Sequence, residues 1–154
     1  MKILSIDTAS NLCTVAVLEN KKCIKEIIVN DARNHSEKIM PVIEQALSES
    51  KLTLQDINLI VCDKGPGSFT GIRIGVGTVL AFKDSLNIPC VGISSLESLA
   101  YNIDSDGIIC SLFDAKNINV YFGVFDKINN IVTQLEELSF KTIKEINPIL
   151  TKYD

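Results

Sequence analysis

Three β-prone runs stand ahead of the first helix-prone run, and that order excludes most mixed α/β arrangements. Residues 2–7 are a short apolar run that ends in Asp7, and residues 13–19 and 22–29 are rich in β-branched and aliphatic side chains. Asn20-Lys21 separates the second run from the third in the manner of a tight hairpin turn. Only then does a helical spacing begin, with Ile39, Ile43, Ala46 and Leu47 recurring at three- and four-residue intervals. Asn34 is placed to cap this helix, with Glu37 three residues on to reach back, and Pro41 falls near its first turns. Residues 57–62 read as a buried strand, about 70–86 as a second helix and 89–93 as a short strand, and Ser94-Ser95-Leu96-Glu97 opens another helical turn.

A simple doubly wound sheet alternates strand and helix from its start, whereas this order does not. Three strands, helix, strand, helix, strand is the order of one lobe of the actin-like, sugar-kinase-like and ribonuclease-H-like α/β folds, in which a three-strand meander is extended by parallel strands through helices. Near Asn102–Gly107 the pattern restarts, with strand-like runs at 107–113, 117–125 and 130–138 and a short helical stretch from Ile143 to Leu150. The expectation is a lobe over 1–102 and a similar second lobe over 103–154, cut short after its first helix.

The bulk properties narrow the function. With 154 residues, 46% of them hydrophobic, the chain has the material for a core, and no apolar run reaches the ~20 residues of a membrane helix. A net charge of −4 and a pI near 5.0 argue against autonomous RNA binding, which rests largely on cationic contacts to phosphate. Five cysteines at 13, 23, 62, 90 and 110 form no CxxC pair and read as core thiols of a reduced, cytoplasmic protein.

The most distinctive segment is Gly65-Pro66-Gly67-Ser68-Phe69-Thr70-Gly71-Ile72-Arg73-Ile74-Gly75, between a strand and a helix. A glycine-bearing helix start can receive an anion, so Gly65, Gly67, Ser68 and Thr70 are candidate anion or nucleotide contacts. The dinucleotide fingerprint fails because Thr70 stands where the third glycine belongs, and the Walker pattern fails for want of Gly-Lys-Ser/Thr. The alternative is a tight turn that lets the helix pack closely. Gly71 and Gly75 lie four residues apart in that helix, with Gly77 near, and each interior glycine costs about 0.5–1 kcal/mol against alanine. Close approach of another backbone, from this protein's sheet or from a second chain, is the usual compensation. Ile72, Val76 and Val79 make the helix apolar almost all round, which points to an interface.

Asp7 and Thr8 close the first strand, where an acid can hold a metal near phosphates or simply cap a turn. His35 is the only histidine, so no multi-histidine metal site can be built, and no nucleophile–base–acid set can be read. Asp114-Ala115-Lys116, with Tyr121 beyond it, reads as a hairpin loop.

Taken together, Ile3-Leu4-Ser5-Ile6-Asp7-Thr8-Ala9, Arg33-Asn34-His35-Ser36 leading to Met40-Pro41, Gly65–Arg73 and Gly92-Ile93-Ser94-Ser95-Leu96 resemble the TsaB (formerly YeaZ) family. Asp114-Ala115-Lys116 with Val120-Tyr121 is a relaxed form of that family's Asp-Ala-Arg…Val-Tyr segment, and lysine lacks the planar fork of arginine. The resemblance covers roughly residues 1–125. It implies an actin-like ATPase fold of two lobes and a role in forming N6-threonylcarbamoyladenosine on tRNAs that read codons starting with A. It further implies a non-catalytic scaffold that pairs with the catalytic TsaD-type paralogue, or with itself as a homodimer, through helices 36–50 and 70–86, with Ile39, Ile43 and Leu47 on the first and Gly71, Ile72, Gly75, Val76 and Val79 on the second as interface residues, and with a small TsaE-type ATPase joining the pair. No metal and no tightly held cofactor are implied for this subunit, ATP or ADP with Mg belonging to the complex, and tRNA would be met weakly or through the complex. Family members continue past the position of Asp154, so the second lobe should be incomplete. A competing reading is a small sugar-kinase-like phosphate enzyme. It requires an Asp-Gly-Gly-type loop opening the second lobe, and Asp104-Ser105-Asp106-Gly107 lacks the second glycine. Peptidase chemistry finds no support in the residues.

Overall fold

A computed structural model describes residues 1–31 and 34–153. Arg33, which opens the Arg33-Asn34-His35-Ser36 segment, lies outside the described residues.

The first compact unit is Met1–Ile93. Strands β1 (Lys2–Asp7), β2 (Leu12–Glu19) and β3 (Lys22–Asn30) form the expected meander. Asn20 and Lys21, at φ 50° and 70°, make the tight turn between β2 and β3. Helix α1 (His35–Glu49) leads through a 3₁₀ turn to β4 (Leu59–Asp63), and α2 (Phe69–Leu86) leads to β5 (Cys90–Ile93). The sheet order is β3-β2-β1-β4-β5, with β4 parallel to β1 and β5 parallel to β4. Even-numbered β1 residues Leu4 and Ile6 pair with Val17 and Val15 of β2 and form one apolar face with Ile60 and Cys62. That face is covered by Ile39, Val42, Ile43, Ala46 and Leu47 of α1 and by Val79 and Phe82 of α2. The expected cap at Asn34 is not formed. Its side chain instead donates to both carboxylate oxygens of Asp31 at 3.1 Å, while its backbone carbonyl accepts from Glu37 and Lys38.

The second compact unit is Ser94–Asp154, so the division falls at Ile93/Ser94 rather than at 102/103. Helix α3 (Ser95–Tyr101) belongs to it because Leu96 and Ala100 are buried in one cluster with Phe125. Strands β6 (Gly107–Asp114) and β7 (Asn119–Ile128) are antiparallel. The single strand expected over 130–138 is two, β8 (Ile131–Gln134) on Phe125–Ile128 and β9 (Ser139–Thr142) on Asn119–Phe122. Leu138, in the link between them, lies over Gly123, where a Cβ would come within 2.7 Å of its Cδ2. Helix α4 (Ile143–Leu150) starts from a Thr142/Glu145 capping box, and Ile146 packs on Val120, Phe122 and Val124. The opposite face of β6–β7 carries α3. Lys127 is buried there and its ammonium donates to the carbonyls of Tyr101 (3.0 Å) and Ile103, closing the C-terminal end of α3.

Candidate functional site

The glycine segment folds onto the turn that follows β1. Ser68 donates its amide to the Ala9 carbonyl at 2.6 Å, and its hydroxyl caps α2 by accepting from the Gly71 amide at 3.2 Å. The Thr8 hydroxyl is buried and donates to the Gly71 carbonyl at 2.7 Å. A Cβ at Gly67 would come within 2.3 Å of the Ala9 carbonyl oxygen, at Gly71 within 1.9 Å of the Thr8 carbonyl oxygen, and at Gly75 within 2.5 Å of Thr8 Oγ1. The close approach that these glycines permit is therefore to the protein's own β1–β2 turn.

This settles the placement of the expected site residues. Asp7, Thr8, Gly65, Gly67 and Ser68 are brought together, but their polar groups serve one another. Asp7 accepts from the Ala9 amide at 2.8 Å in a turn cap, and Gly65, at φ 93°, donates to Asp63 at 2.6 Å. As a cradle for an anion the cluster fits poorly, since the Ser68 and Gly71 amides are already engaged and the Ala9 carbonyl fills the space beside Gly67. Thr70 stands apart on the exposed side of α2. Among the described residues no three His, Cys, Asp or Glu side chains converge as metal ligands. His35 is buried with Nε2 3.0 Å from the Ser10 carbonyl, so that nitrogen carries a proton and is engaged in holding the turn.

The interface expectation needs a correction of face. Ile39, Ile43, Leu47 and Val79 are core side chains, and Gly71 and Gly75 are buried against Thr8, while Ile72 and Val76 are half-buried. An apolar helix in this chain is covered on one side only. Its outward side carries Phe69 (74% exposed), Arg73, Gly77 and Leu80, spaced at four, four and three residues. The Arg73 guanidinium lies 5.3 Å from the Phe69 ring centre, which presents an aromatic–cation pair beside a shallow cleft lined by Thr70, Arg73 and Ile74. Gly77 sits in the middle of this face, and a Cβ there would meet nothing within 4 Å. The signal that separates Gly77 from Gly71 and Gly75 was available in the helical phase, since 77 falls on the side of 69, 73 and 80.

A three-strand meander extended by parallel strands β4 and β5 is the frame of the actin-like ATPase fold. A hexokinase of the ROK type from Thermus thermophilus shares it at a TM-score of 0.55 and 15% identity, over 88% of this chain and 50% of that one. YeaZ from Pseudomonas aeruginosa superposes far better, with a TM-score of 0.83 and 25% identity over 92% of this chain and 67% of that one. The family described as "TsaD: tRNA N6-adenosine threonylcarbamoyltransferase" matches residues 22–151. Curated relatives called "tRNA threonylcarbamoyladenosine biosynthesis protein TsaB" are 40% identical in Bacillus subtilis, over 88% of this chain and 59% of the relative, and 37% identical in Buchnera aphidicola, over 97% and 71%. The chain belongs to the TsaB/YeaZ family. It spans about three fifths of the Bacillus subtilis relative's length.

Proposed function

We propose that the chain is a non-catalytic partner subunit in N6-threonylcarbamoyladenosine formation on tRNA, supporting a catalytic paralogue of the TsaD type. The observation that carries this is the outward face of α2 in a chain 37–40% identical to curated TsaB proteins. Phe69 and Leu80 supply apolar anchors, Arg73 a cation and Gly77 a flat point where a second helix can come close. Alone, the same face would pair two copies of this chain. A small ATPase of the TsaE type joins the pair, and nucleotide with Mg is handled within that assembly. The net charge of −4 supports a subunit that meets tRNA through its partner. No helix among the described residues is long and apolar enough to cross a membrane, and the reading as a tRNA-modification subunit assigns its work to the cytoplasm.

Light scattering on the chain alone and mixed with its cognate TsaD-type paralogue tests the reading. A one-to-one complex is expected, weakened about tenfold or more by Phe69→Asp or Leu80→Asp. A chain that ignores the paralogue, or variants that bind as tightly as the original, would overturn it.

A further inference from the structure

Three aromatic side chains stand in one row across the sheet of the second unit. Phe113 of β6 lies directly opposite Tyr121 of β7, and Tyr121 lies directly opposite Phe140 of β9. Strand alternation puts all three on the face that carries α3. α3 covers the other end of that face, where Leu96 and Ala100 meet Phe125, and Leu138 lies over Gly123 in the middle. The aromatic end stays open. Phe113 and Tyr121 are half-buried and Phe140 is 58% exposed, its ring centre 5.5 Å from that of Tyr121 at an interplanar angle of 65°. Tyr121 thus supports Phe140 from one side, and most of the Phe140 side chain remains free to meet a further aromatic system.

Cations gather at the same end of the sheet. Residues 94–154 hold five lysines, no arginine and nine acids, so composition alone does not supply a basic surface there. Lys141 nevertheless follows Phe140 in β9, and Lys144 stands in the first turn of α4. The Ile143 amide donates to the Ile118 carbonyl at 3.2 Å, which ties that turn to the β6–β7 loop carrying Lys116. The nearby acids have partners of their own. Asp114 accepts from the Lys116 amide and ammonium, Glu145 from Thr142, and Glu136 from Lys152 and Tyr153. Lys141 acts on Glu136 and Glu145 only at longer range, and among the described residues neither Lys141 nor Lys144 makes an ion pair. The core of a protein contact is depleted in lysine. An aromatic row edged by lysines is instead the make-up of a surface that stacks unpaired bases and meets their phosphates.

We propose that the row of Phe113, Tyr121 and Phe140 is a stacking platform for an unpaired base of RNA, with Lys141 and Lys144 meeting the adjoining phosphates. Phe140 carries the base and Tyr121 backs it. The choice of RNA rests on the reading of the chain as a tRNA-modification subunit, whereas the platform itself makes no use of α2. Two or three cations give little counterion release, so the contact is weak in the isolated chain, in keeping with the net charge of −4. Within the assembly it adds a hold on a splayed-out base to whatever grip the partner supplies.

The test titrates a mixed-sequence single-stranded RNA hexamer into the chain at low salt and follows ring and amide signals by NMR. The signals of Tyr121 and Phe140 should shift together, and a blunt RNA duplex should bind about tenfold more weakly or not at all. Phe140→Leu keeps an apolar side chain and removes the ring, so it should weaken the hexamer about tenfold or more, while Phe140→Trp should hold it at least as tightly. Replacing Lys141 and Lys144 together by alanine should flatten the dependence of affinity on salt. Light scattering of Phe140→Leu with the TsaD-type paralogue should give the same complex as the parent chain. Ring signals that stay in place overturn the proposal, as does a Phe140→Leu variant that binds like the parent. So does a duplex or a free mononucleotide bound as tightly as the hexamer, and so does loss of pairing in Phe140→Leu, which would make the row a protein contact. A chain that holds the hexamer through Phe140 yet ignores the paralogue would sink the subunit reading and support the platform.

Discussion

The two compact units use the same opening topology and stand at different degrees of closure. In the first, a central strand has neighbours on both sides, and one face is sealed by two helices. α2 presses so close to the β1–β2 turn that no side chain fits at Gly67, Gly71 or Gly75. In the second, the equivalent strand has a neighbour on one side and its aliphatic residues stay half in water. Closure of such a lobe therefore comes from the strand–helix pair after the meander, since the meander and its first helix leave the edge of the leading strand open.

Damage at the closed point should have the largest effect. Gly71→Leu places a branched side chain against a backbone carbonyl that cannot yield, and about 3 kcal/mol or more of stability should be lost. Chemical denaturation followed by circular dichroism would show it, and a variant with unchanged midpoint would mean that α2 can slide on the turn. Next comes a matched pair of truncations. Leu4→Ala empties a fully buried site and should cost about 2–5 kcal/mol, whereas Leu112→Ala, in a half-exposed site, should cost under about 1 kcal/mol. Equal costs would contradict the unequal closure of the units.

Much of this was legible in the sequence because it is written locally. The period-two runs, the Asn20-Lys21 turn and the glycine segment at the start of α2 locate β1–β5 and both long helices to within a few residues. Which way the glycines of α2 face was not legible from composition, since an apolar helix with three glycines fits either a sheet or a partner. Helical phase together with the position of Thr8 decides it, and Thr8 is distant in sequence. Nothing local marks α3 as part of the second unit either, because its assignment depends on Phe125 meeting Leu96 and on Lys127 reaching the end of the helix. The split of β8 from β9 follows from a contact over Gly123 that no local pattern encodes.

The Thr8 hydroxyl offers a finer test of the closed turn. Thr8→Val keeps the shape and removes the bond to the Gly71 carbonyl, so stability should fall by about 1–2 kcal/mol with the fold intact. The outward glycine should behave in the opposite sense to Gly71. Gly77→Ala meets open space and should gain about 0.5–1 kcal/mol from helix propensity, while weakening any helix that docks over it. A gain in stability with unchanged pairing would remove Gly77 from the interface and leave Phe69 and Leu80 to carry it.

The smallest effect belongs to the start of α4 in the open unit. Glu145 accepts from the Thr142 hydroxyl and amide, and these hydrogen bonds, the hydroxyl's first, hold its carboxyl below the usual range. A carboxylate whose folded value is depressed contributes stability that is complete above its unfolded value and disappears as pH falls through the folded one. Glu145→Ala should therefore loosen the first turn of α4 at neutral pH, seen as faster amide exchange in residues 143–146, and the gap from the parent chain should close on acidification. Exchange in the first unit should not respond, because that unit is sealed by its own helices. A change reaching β1 would show that the two units share stability more than their separate cores suggest.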